Sequence, residues 1–96
     1  MKIVTYFKKW MLEDRVFKNV WDLEKDTEIG YTYADGKWYE RSRPVDNHSG
    51  MGDSDLYDVI TEQMALEYLG IEKWPEGAEP GEDEVDYTEI NPKALG

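Results

Sequence analysis

"YFKKWMLEDRVFKNVWDL", Tyr6 to Leu23, admits two readings, and the fold depends on which one holds. At 100° per residue Tyr6, Trp10, Phe17 and Trp21 fall within one arc, as an amphipathic helix requires. At a period of two, Val16, Lys18 and Val20 oppose Phe17, Asn19 and Trp21, and the run is rich in the β-branched and aromatic side chains that suit a pleated surface. The strand reading is preferred here, and for the overlapping "KIVTYF" that begins at Lys2.

Downstream, "EIGYTYADGKWYERSRP", Glu28 to Pro44, supports that choice because it reads as a β-hairpin. Asp35-Gly36 suits a type I′ turn, in which both central residues need positive φ. With that pair at the tip, Tyr33 lies opposite Trp38, Thr32 opposite Tyr39 and Tyr31 opposite Glu40. Tyr31, Tyr33 and Trp38 then share one face and belong to the core, while Tyr39 stands on the other face with Thr32 as a candidate adhesive ring.

The stretch "DSDLYDVITEQMALEYLGIEKW" has the pattern of a helix. Leu56, Tyr57, Ile60, Met64 and Tyr68 recur at three- and four-residue spacing, Asp53 or Ser54 is placed to cap, and Gly70 to stop. Asp55, Asp58 and Glu62 then form a row about 4.5 and 6 Å apart along the axis, near the repeat of phosphates along a nucleic-acid strand. A competing parse makes "LYDVI" a strand, starts the helix at Thr61 and scatters the row. The intervening loop holds His48, the single histidine, beside Asp46, Asp53 and Asp55, but lacks the ligand order of a calcium loop, so no metal is expected.

From Pro75 the chain reads "PEGAEPGEDEVDYTEINPKALG", with two Pro-Gly breaks and the acids Glu82, Asp83, Glu84 and Asp86 close together. Its composition is that of a flexible acidic tail, residues 75–96, behind a single domain of residues 1–74. Within it "EVDYTEI" sets Val85 and Tyr87 on one face of a short strand and Ile90 on the other, a pattern able to dock on a sheet edge or a partner.

Charge narrows the function. The 96 residues carry 22 acids against 11 bases, a net charge of −11, with the acid concentrated in the second half. Nucleic acid and anionic membranes are repelled by such a chain and basic surfaces attracted. Cysteine is absent, so disulfides and thiolate chemistry are excluded, and no Gly-rich loop precedes a helix in phosphate-binding fashion. No cofactor and no catalysis are expected. Neither a signal-type apolar run nor a membrane span is visible, which points to the cytoplasm, or the host cytoplasm for a phage-encoded chain.

These features predict an α+β domain: an antiparallel sheet of three or four strands from residues 1–43, one helix over residues 54–69, and the acidic tail. In size and charge alone the chain resembles small acidic bacteriophage proteins that inhibit restriction enzymes or CRISPR effectors by presenting carboxylates in place of phosphates. The expected partner is a basic, nucleic-acid-binding protein, met through Asp55, Asp58, Glu62, Tyr39, Glu82, Asp83, Glu84 and Asp86. The alternative is a non-catalytic adaptor that docks through its aromatic hairpin.

Overall fold

The computed structural model describes residues 1–9, 12–45 and 57–94, and of residues 12–14 and 94 the backbone only. Its elements are β1 (Lys2–Lys9), β2 (Leu12–Asp22), β3 (Thr27–Ala34), β4 (Lys37–Glu40), β5 (Tyr57–Ile60), helix α1 (Glu62–Leu69), β6 (Glu84–Asp86), the single-turn helix α2 (Tyr87–Ile90) and a 3-10 turn at Pro92–Ala94. One sheet runs in the order β4-β3-β2-β1-β5, and β6 also pairs with β1. The strand period prevails over Tyr6–Leu23: β1 and β2 are antiparallel, with Val4 opposite Val20, Tyr6 opposite Lys18 and Phe7 opposite Phe17. The β3–β4 hairpin has the register its turn requires, with Asp35 at φ 52° and Gly36 at φ 77°.

Three expectations are corrected. The sheet has six strands rather than three or four, two of them drawn from beyond residue 43, and it is packed by two short helices rather than one. The helix begins at Glu62, not at residue 54, with Thr61 as its N-cap accepting from the Met64 N–H at 3.0 Å. Where an acidic tail was expected to trail, β6 lies parallel to β1, Ile3 facing Val85, and Ala78 is buried.

The physical reason is the outer edge of β1. β2 occupies the inner edge along its whole length, so the other row of backbone donors and acceptors needs partners. β5 supplies them antiparallel at Tyr6 to Lys9, and β6 in parallel at Lys2 to Val4. The helix-like spacing of Tyr57 and Ile60 is coincidental. Tyr57 packs with Phe7, Phe17 and Val45 on one face of the sheet, and Ile60 with Val4, Tyr6 and Val16 on the other. The candidate caps Asp53 and Ser54, Leu56, and the loop with Asp46 and His48 lie outside the described residues.

Each face has its own cover. On the Ile60 face, α1 places Ala65 and Leu66 over Val4, Tyr6 and Val16. The chain then crosses back, and Trp74 stacks on Tyr6 with ring centroids 5.9 Å apart, contacting Tyr33 and Trp38 at 5.6 and 5.3 Å. Trp38 donates its indole N–H to the Ala78 carbonyl at 3.1 Å, tying the hairpin to the returning chain. On the Tyr57 face the segment after β4 folds over the sheet. Asn19, buried in mid-strand, accepts from the Val45 N–H at 2.9 Å and donates to the Val45 carbonyl at 2.8 Å. Gly30 makes the crossing possible, since a Cβ there would lie 2.7 Å from Pro44 Cα.

Two substitutions test this arrangement. Trp38→Ala should lower the stability by about 3 kcal/mol, from the lost ring contacts and an orphaned carbonyl, whereas Tyr39→Ala, at a ring 50% exposed, should stay within about 0.5 kcal/mol of the parent. Gly30→Ala should push the 43–45 segment off the sheet and cost about 1 to 3 kcal/mol. Urea unfolding followed by tryptophan fluorescence measures all three.

Candidate acidic binding surface

The expected contact residues do not form one row. Asp55 lies outside the described residues, and Asp58 is exposed on β5, opposite Lys8. Glu62 opens α1 half-buried, and its Oε2 accepts the Trp74 indole N–H at 2.7 Å, so it belongs to the fold. Tyr39 stands apart from these on the hairpin, exposed as its register position requires.

Glu82, Asp83, Glu84 and Asp86 are brought together at β6, with different roles. Glu82 and Asp83 are exposed, and Asp83 lies 3.7 Å from the Lys2 ammonium. Asp86 is committed to structure. Its Oδ1 accepts the Thr88 N–H and hydroxyl at 2.9 and 2.8 Å, capping α2, and its Oδ2 accepts the Glu62 N–H at 2.9 Å at the start of α1. Two helix starts thus share one carboxylate, which suits the positive end of each backbone dipole. Glu84 is half-buried, and its Oε1 is shielded from solvent with no hydrogen-bond partner.

Around these residues lies a cavity of about 90 Å³ lined by Val4, Tyr6, Glu62, Pro80, Glu84, Val85, Asp86 and Glu89. Tyr6 is 2% exposed. Burial, and then the charges of Glu62, Asp86 and Glu84, hold its hydroxyl far above the ordinary phenol range. Lys18 neighbours the group from β2. Its ammonium lies 4.4 Å from the Trp38 ring centroid and 5.5 Å from that of Tyr31, and burial lowers its pKa against the opposing pull of Glu84 and Glu62. Among the described residues no group of three acids or histidines is arranged to hold a metal ion.

The same stretch of chain carries an exposed acidic surface, which meets the cavity at Glu89. Between residues 72 and 89, Glu72, Glu76, Glu79, Glu82, Asp83 and Glu89 are exposed, and Lys73 is the single base. Its backbone is anchored by buried Trp74 and Ala78, by the Ala78 N–H to Pro75 carbonyl bond at 2.9 Å, by the Glu84 N–H to Gly81 carbonyl bond at 3.1 Å, and by β6.

Sequence reasoning missed Tyr6, Lys18 and Glu89 as neighbours of this site. The strand pattern of "EVDYTEI" was the available signal, but its partner strand lies more than 80 residues away in the chain, and nothing local names it. No protein-family model, no curated protein and no solved structure matches the chain. No helix among the described residues is long and apolar enough to cross a membrane.

The buried titrating pair predicts an alkaline signature with two signs. An unfolded tyrosine loses its proton near pH 10 while native Tyr6 keeps it, so the native state binds more protons and this contribution to stability falls as pH rises above about 10. Lys18 acts oppositely: the native state releases its proton first, so its contribution rises with pH in the window below the ordinary lysine value of about 10.4. Urea midpoints between pH 8 and 11 should therefore fall less steeply at the alkaline end in Tyr6→Phe than in the parent, and more steeply in Lys18→Met.

Proposed function

We propose that the protein is a non-catalytic acidic binding protein that occupies the basic, nucleic-acid-binding surface of a partner protein in the cytoplasm, its carboxylates standing where phosphates would lie. One observation carries the reading: the six exposed acids of residues 72–89 are set on a backbone anchored at Trp74, Ala78 and β6. Charge that serves only solubility needs no such anchorage, whereas a ligand gains from carboxylates already held in place, because less ordering entropy is lost on binding. Steering by the net charge of −11 speeds the encounter with a basic surface. The helix row is not part of this proposal, since Glu62 is held by Trp74.

A second reading keeps its own observation. Tyr39, 50% exposed on the hairpin face away from Trp38 and Tyr33, is a ring available to a protein partner in an adaptor.

Salt and competition separate the two. A partner recovered with the full chain should bind it at least about tenfold more weakly at 200 mM than at 50 mM salt and should be released by a short DNA duplex. Replacing Glu72, Glu76, Glu79, Glu82 and Glu89 by Gln should abolish binding while amide spectra show an intact fold. Binding that ignores salt and duplex but is lost in Tyr39→Ala would replace the proposal with the adaptor.

A further inference from the structure

The cavity beside Tyr6 holds polar groups that the fold leaves unused. Glu84 Oε1 is buried without a partner, which is costly for a carboxylate oxygen unless a donor completes it. Tyr6, 2% exposed, makes no hydrogen bond through its hydroxyl among the described residues, and the three carboxylates acting on that hydroxyl all line the cavity, which places it at the wall. Asp86 is held from two sides by backbone donors, so it is a fixed charge there. Lys18, which is not part of the lining, offsets one of the four carboxylate charges of Glu62, Glu84, Asp86 and Glu89.

We propose that this cavity receives the head of a cationic side chain, a lysine ammonium or an arginine guanidinium, from the partner protein. The space of about 90 Å³ is that of about three waters, room for a head of a few heavy atoms. The acids of the lining are not disposed to close on a point ion, so an organic cation with several N–H donors suits them better than a metal. One N–H meets the Tyr6 hydroxyl as acceptor, beside the charges of Glu84 and Glu62. Val4, Val85 and Pro80 offer apolar contact to the methylenes behind the head. This inference rests on the reading of the chain as a ligand for a basic protein, and it supplies that encounter with an anchor.

Amide spectra of the full chain, titrated at constant ionic strength with methylguanidinium, methylammonium or tetramethylammonium chloride, test the site. The first two should give saturable shifts at Glu62 and at residues 84–89, and tetramethylammonium, which has no N–H donor, should not. Glu84→Gln should raise the half-saturating concentration at least tenfold and Tyr6→Phe severalfold, with the remaining amides unmoved. Equal response to tetramethylammonium, or Glu84→Gln titrating like the parent, overturns the site. An acetylated Gly-Arg-Gly amide that saturates below spermidine assigns the cation to a protein side chain, and spermidine saturating first overturns that source. If the basic partner ignores Glu84→Gln but is lost from the chain neutralised at Glu72, Glu76, Glu79 and Glu82 alone, the cavity fails and the broader reading stands. If the cavity titrates as described but no basic partner binds, the broader reading fails with the proposed source.

Discussion

The stack of Trp74 on Tyr6 is the contact on which the second half of the chain depends. Residues 71–83 contain no strand and no helix, so their backbone receives little from regular hydrogen bonding and must be positioned by side chains. Trp74 does this from three directions: its ring lies on Tyr6 at an interplanar angle of 14°, meets the hairpin rings Tyr33 and Trp38, and donates to Glu62 at the head of α1. Strand, hairpin and helix thereby meet at one indole. Only with that ring in place does the chain emerge where β6 can reach the open half of β1.

The other face adds polar chemistry to its aromatic contacts. Asn19 substitutes for a missing strand by pairing with both backbone groups of Val45, and it is almost fully buried with both ends of its amide satisfied. Phe7, Phe17 and Tyr57 close around that pair, with Phe17 edge-on to Tyr57 at 5.3 Å. A protein of this size has few apolar residues for two cores, and among the described residues a buried asparagine holds the segment 41–45 over this face.

Local rules reached some of this and stopped where pairing became non-local. The I′ turn at Asp35-Gly36 set the hairpin register, because both positive φ values are required within two residues. The alternation of Val16 to Trp21 identified β2 for a similar reason. The segment from Leu56 to Ile60 failed because four apolar residues at mixed spacing satisfy either period, and the decision came from the unpaired edge of β1, some fifty residues earlier. The acids of residues 82–86 were visible as a cluster. That Asp86 caps two helices, Glu84 closes a cavity and Glu82 faces water follows from the parallel pairing of β6, which composition does not encode.

The division of the outer edge of β1 between two short strands also bears on self-association. A long exposed strand offers its free donors and acceptors to another copy of the same chain, the usual route to edge-to-edge aggregation. Here the eight-residue β1 is sealed by strands of four and three residues, and β4 at the opposite border has four. The strands β4, β5 and β6 therefore each present at most about 13 Å of ladder, and on one side the template is split between two strand directions, so no single incoming strand can match both. Asp58 sets an exposed carboxylate along that border. Any second copy would bring the same charge to it, so the border that completes the sheet also discourages its extension.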